Sequence, residues 1–271
     1  MSVQITAAMV NELRSKTGQG MMECKKMLTE TGGDIQKAIE EFRKKGVKSS
    51  ITERATSEGR VQVGVSGNRK TAAAVVVNCN TDFTAKSDPV SRILDSAVAK
   101  LLANPSVNLA EDAEVKTGIT AVAQTTGENV NLGKAVAVTA PDGGSVGAYV
   151  YTITNKIAVL LAFKGQASED VIKNVGGHIS FAKPLGLTRD AVPADLVAKE
   201  RELAVEAAKA TGKPQQIAEK IAEGKLNAFF AEKVLLDQEY FNSQAFKGTV
   251  GAMLKQNGVE LVTYELVEVG R

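Results

Sequence analysis

Apolar positions in the first 50 residues recur in three short blocks at helical spacing. Ile5, Met9, Val10 and Leu13 share one face of a first helix. Thr17-Gly18-Gln19-Gly20 interrupts the pattern, and Met21, Met22, Cys24, Met27 and Leu28 then form a second apolar stripe. Thr31-Gly32-Gly33 ends that stripe, with Asp34 as N-cap of a third helix. Its inner face is Ile35, Ala38, Ile39 and Phe42, and Gly46 stops it. Residues 1–50 therefore predict a three-helix unit, a size that suits binding better than catalysis. The polar stretch 47–59 has no clear periodicity and reads as a linker, taken as 51–59 between units.

A different grammar begins at Arg60. Val61, Val63 and Val65 alternate with Arg60, Gln62 and Gly64, the period of a half-buried strand. After a turn at Ser66–Arg69, the run from Thr71 to Val77 is continuously apolar, which predicts a central strand covered on both faces. Asp88-Pro89 opens a helix whose apolar face is Val90, Ile93, Leu94, Ala97, Val98, Leu101 and Leu102. The same order recurs about 85 residues later. Val146–Tyr151 is a strand, Thr154-Asn155 a turn and Lys156–Phe163 a second central strand. Ser168 caps a helix with Val171, Ile172, Val175, Ile179 and Phe181 as its inner face. Third strands are available at Lys134–Ala140 and Val259–Val269. The pattern predicts an α+β chain with two related subdomains, 60–141 and 142–271, each an antiparallel sheet with helices on one face. The second carries an Ala-rich insertion at 190–240 that reads as an antiparallel helical hairpin. It is either a projecting arm for dimerisation or partner contact, or a hairpin packed on its own subdomain.

Composition narrows the function. The 271 residues carry a formal net charge of +2, so no strong field draws in nucleic acid or an anionic membrane. Aromatics are 4% with no Trp, which argues against a base-stacking platform. One His and two Cys leave few ligands for zinc, iron or copper, and no cofactor is expected. Cys24 and Cys79 lie in unlike segments and read as free thiols. There is no run of 18 apolar residues and no signal-peptide pattern at the start, so the expected location is the cytoplasm. Chemistry is hard to find. Gly127–Ala135 resembles a phosphate loop but has one residue too many between its glycines and Ala where Ser or Thr should bind metal. His178, the sole histidine, reads as a packing residue inside a helix. The chain is not expected to be an enzyme.

The informative segment follows the first central strand: Asn78-Cys79-Asn80-Thr81-Asp82-Phe83-Thr84-Ala85-Lys86-Ser87-Asp88. The second copy has only Lys164–Ala167 there. A Phe in so polar a loop either folds back into the core or protrudes as an interface anchor. Gly18 and Gly20 likewise have two readings, as helix punctuation or as a partner-facing loop beside Met21 and Met22.

NCNTDFTAK resembles the NC-x-TDF-x-AK signature of the elongation factor Ts family, the exchange factors for the GTPase elongation factor Tu. LRSKTGQGMMECKKML with GGDIQKAIEEFRKKG resembles that family's ubiquitin-associated-like N-terminal domain, and TGENVNLGK its TGEN-type segment. The resemblance implies that the N-terminal helices dock on the GTPase and that Thr81, Asp82, Phe83 and Thr84 act near its magnesium site, with Phe83 as the wedge. It implies further contacts at Gly18, Gly20, Met21, Met22 and Gly127, and self-association through the hairpin. Thr84 stands where the family often has Val, which would soften the wedge, and Thr126 where an apolar residue can occur. The alternative is a scaffold that binds a protein through the three helices without promoting exchange.

Overall fold

Alternation in two central strands decides the architecture. The structure, a computed structural model, describes residues 4–44, 54–210, 212 and 214–270. Strands β1 (Glu58–Val65), β2 (Thr71–Cys79) and β3 (Asn131–Thr139) form one antiparallel sheet in the order β1-β2-β3. Strands β4 (Ser145–Val150), β5 (Ile157–Lys164) and β6 (Glu260–Glu268) form the other, in the order β4-β5-β6. Side chains of successive strand residues point to opposite faces. Ala73, Val75, Val77 and Cys79 of β2 therefore pack under helix α5 (Asp88–Ala103), with Val90, Ile93, Leu94 and Ala97. Ala72, Ala74 and Val76 point the other way and meet Ala158, Leu160 and Ala162 of β5. The opposite face of β5, Val159, Leu161 and Phe163, packs under α7 (Glu169–Ala182) and α10 (Val250–Gln256). The two sheets thus lie face to face with helices outside, four layers in all. The apolar runs predicted strands covered on both faces; the cover on the inner face is the other sheet.

Helix α7 sits close on β4 because two glycines face across the contact. A Cβ at Gly147 would lie 2.5 Å from Ile172 Cγ1, and one at Gly176 would lie 2.3 Å from Tyr149 Cβ. His178 is buried, as its reading as a packing residue required. Its Nε2 is 2.9 Å from Gln238 Oε1, and its Nδ1 accepts the N–H of Phe241 at 3.4 Å. The ring clasps α7 to the chain that follows the hairpin.

The N-terminal helices are α1 (Ala7–Thr17), α2 (Met21–Glu30) and α3 (Ile35–Lys44), closed around Val10, Leu13, Cys24, Met27, Leu28, Ala38 and Phe42. The hairpin is α8 (Ala194–Lys209) and α9 (Gln215–Lys233). Ala204 and Ala208 of α8 and Ala218 and Ala222 of α9 are buried, while Leu203 and Ile217 stay exposed. Among the described residues no helix is long and apolar enough to cross a membrane.

Several expectations are corrected. Phe181, assigned to the inner face of α7, is 86% exposed. It follows buried Ile179 by two residues, about 200° around a helix of 3.6 residues per turn. Met22 precedes buried Cys24 by the same step and is 78% exposed, and Met21 is exposed at the first position of α2. Strand β1 begins at Glu58, inside the expected linker. The stop at Gly46 and linker residues 51–53 lie outside the described residues. Helix α6 (Ala113–Thr126) and α10 were not foreseen. The inner face of α6 is Val115, Ile119, Val122 and Ala123, a helical stripe of which only Val115 and Val122 are fully buried.

Candidate partner-binding site

Strand β2 is covered on both faces until Cys79, and the chain must then leave the core within a few residues. It does so through a single helical turn, α4 (Asp82–Ala85), not the open loop that the polar sequence suggested. Thr81 is its N-cap, with Oγ1 accepting the N–H of Thr84 at 3.4 Å. The turn sorts its side chains. Thr84 and Ala85 face inward and are buried, whereas Phe83 is 84% exposed and Asp82 points to solvent beside it. Thr84 therefore lies beneath the exposed surface and does not dilute it, contrary to the expectation from its place in the motif.

What Thr84 touches is Glu128, the second residue after α6. Both carboxylate oxygens are fully engaged. Oε1 accepts the hydroxyls of Thr81 (2.6 Å) and Thr84 (2.8 Å), and Oε2 accepts the backbone N–H groups of Asn80 and Thr81, each at 3.1 Å. Partial burial works against ionisation here, but the two hydroxyls and two N–H groups outweigh it and hold the Glu128 carboxyl below the usual range. Burial, with the Glu128 charge adding to it, pushes the Cys79 thiol up to about 11, and its Sγ donates to Thr81 O at 3.1 Å. The thiol is a packing group at the foot of the turn. At the exposed end, the hydrogen-bonded Lys86 ammonium holds the Asp82 carboxyl low, at 2.8 Å.

Around α4 the surface is concave. A groove of about 750 Å³ runs from Phe83, Asp82 and Lys86 to Arg60 and to Ile153 and Lys156 on the β4–β5 turn. The other residues singled out from sequence fall elsewhere. Gly18 (φ 69°) is the left-handed C-cap of α1 and Gly20 the N-cap of α2, so both punctuate helices. Gly127 (φ 69°) is the same kind of cap for α6. Gly18 and Gly127 line one groove of about 600 Å³, with Asn11, Arg14, Arg54 and Thr126. Met21 and Met22 are exposed. Glu128 follows Gly127 directly and so joins the base of α4 to the rim of this second groove. Among the described residues, no group of three or more His, Cys, Asp or Glu could hold a metal ion.

A family profile described as Elongation factor TS matches residues 80–271, starting at Asn80, just before the cap of this turn. The chain belongs to the elongation factor Ts family. Elongation factor Ts of Methylococcus capsulatus is 37% identical over 278 residues, covering 99% of this chain and 93% of that protein. The elongation factor Ts proteins of Teredinibacter turnerae and Pseudomonas aeruginosa are 36% and 37% identical, each covering 98% of this chain and 91% of their own length. The similarity to elongation factor Ts thus extends over the three N-terminal helices as well as both sheets. Glu128 was missed in the sequence. It sits in the TGEN segment already compared with elongation factor Ts, but no local pattern ties it to residues 80–84.

Proposed function

We propose that this chain is a guanine-nucleotide exchange factor that binds elongation factor Tu in its GDP-bound and nucleotide-free states and promotes GDP release. Exchange makes and breaks no covalent bond, so it requires no nucleophile and no acid–base pair. It requires a surface that binds the nucleotide-free GTPase more tightly than the GDP-bound one. Linkage then weakens GDP by the same factor. Phe83 enters beside the magnesium and phosphate site of the GTPase, and Asp82 brings a carboxylate toward the same charges. Once the metal's surroundings shift, the phosphates lose charge neutralisation and GDP leaves; GTP then rebinds and ejects the factor. The N-terminal helices, with Gly18, Gly20, Met21 and Met22, provide docking, and Gly127 an adjoining contact.

The observation that carries this reading is a phenylalanine 84% exposed on a turn whose base is buried and fully hydrogen-bonded. An aromatic ring held in water is an anchor awaiting a partner. The experiment is release of labelled GDP from elongation factor Tu, with substoichiometric factor, for the wild type and for Phe83→Ala combined with Asp82→Ala. The double variant should keep the fold and lose most of the acceleration. Unchanged release with the fold intact refutes the wedge.

A further inference from the structure

We propose that Glu128 is the residue that positions Phe83: it locks α4 onto the end of α6, and without it the ring is no longer presented in one place. The proposal rests on the reading of Phe83 as the wedge.

Four donors from two residues of α4 and its cap, and from the residue before the cap, converge on one carboxylate: Asn80 N–H, Thr81 N–H, Thr81 Oγ1 and Thr84 Oγ1. A four-residue helix cannot hold itself together, because one turn fixes more backbone than its hydrogen bonds repay. Something outside it must fix the geometry. Thr84 and Ala85 supply apolar burial, but Phe83 supplies none to this protein, since it points to water.

Glu128 is itself held. Gly127 takes the left-handed cap conformation after α6, and the Glu128 N–H donates to Thr126 Oγ1 at 3.2 Å. Next along, the Asn129 N–H donates to Asn80 Oδ1 at 2.7 Å, so the two segments are joined a second time. The same pair also secures the incoming chain. Asn80 Nδ2 donates to Ala55 O at 2.9 Å, and Asn129 Nδ2 to Arg54 O at 3.0 Å. The carboxylate is thus the centre of a junction between β2, α6 and the segment that arrives from the N-terminal helices. An acceptor-only group suits this place, because all four approaching atoms are donating hydrogens.

The test uses the whole protein with Glu128→Ala, Phe83→Ala, the double variant and Glu128→Gln, each checked for native circular dichroism. Two measurements are made. The first is amide hydrogen exchange at Asn80 and Thr81 in the free protein. The second is acceleration of GDP release from elongation factor Tu. Glu128→Ala should speed both amides and reduce the acceleration roughly 10- to 100-fold, the scale of loss when a positioned group is displaced by about 1 Å. Glu128→Gln keeps one acceptor oxygen for the two N–H groups and should recover part of both signals. The double variant should release GDP no more slowly than the worse single variant, because Glu128 acts through Phe83. Where Phe83→Ala loses the acceleration, losses that multiply in the double variant or unaltered GDP release in Glu128→Ala overturn the proposal, and unaltered amides overturn it in every case. Phe83→Ala tells the two readings apart. If it leaves GDP release unchanged, the wedge falls, and the amides of the free protein alone then decide whether Glu128 orders the turn.

Discussion

Replacing Thr84 with Val gives a clean measure of the hydroxyl under Phe83. The side chain is 5% exposed, and Val has nearly its shape, so no cavity is opened. What is lost is one hydrogen bond of 2.8 Å to the Glu128 carboxylate, a charge-assisted contact in a partly buried site. Such bonds are worth about 1.5–3 kcal/mol. A methyl in place of the hydroxyl returns about 0.8 kcal/mol of apolar burial. The net expectation is a loss of about 1–2 kcal/mol, which for a chain of this size lowers Tm by roughly 2–8 °C. Thermal unfolding at pH 7, followed by circular dichroism, reads it directly. The control is the same change in a Glu128→Ala background, where the hydroxyl has lost its acceptor. There Thr84→Val should be neutral or slightly stabilising. Equal effects in the two backgrounds, or a gain in the wild type, would show that the hydroxyl does not act through Glu128.

The remaining predictions concern other parts of the molecule. Gly176→Ala places a methyl 2.3 Å from Tyr149 Cβ on a strand that cannot yield easily, and overpacking of about 1–3 kcal/mol should outweigh the better helix propensity; an unshifted urea midpoint counts against the close contact. Burial disfavours the charged form of His178 and holds its pKa below the ordinary 6.5, with the hydrogen bond to Gln238 opposing this. The unfolded chain therefore takes up the proton first, and the stability this ring contributes is present above about pH 6.5 and is lost as pH falls below it. Urea midpoints measured from pH 8 to pH 5 should fall more steeply for the wild type than for His178→Gln, which cannot charge; parallel slopes would remove His178 from the acid response. Deleting residues 1–50 should weaken association with elongation factor Tu by at least tenfold in a titration by calorimetry, and undiminished affinity would take the docking role away from the three helices.

The sheets were legible because a strand buried on both faces writes an unbroken apolar run, and Thr71–Val77 and Lys156–Phe163 are such runs. Their stacking was not, since period two says which side chains part company but not what each set meets. Small residues, Ala72 and Ala74 against Ala158 and Ala162, were the trace of it. Helix α6 stayed hidden although Val115, Ile119, Val122 and Ala123 all turn toward the core, because only Val115 and Val122 are fully buried and Thr and Ala fill most of the rest of the helix. At the candidate site, the residues by themselves left Phe83 open between core and solvent. The deciding fact is the N-cap at Thr81, which starts a helical turn and sends position 83 outward and position 84 inward. Glu128 could not be reached from local pattern, since its partners stand more than forty positions earlier in the chain.

Any push has a recoil. A ring that forces two parts of another protein apart is driven back with equal strength, and a turn carried on a slack connection would simply retreat. Here the turn continues β2, the middle strand of its sheet, with β1 and β3 bonded along its sides, α5 above it and the second sheet below. On the proposed reading, the reaction at Phe83 passes through β2 into both sheets and the helices over them, so that one side chain is backed by the whole packed body.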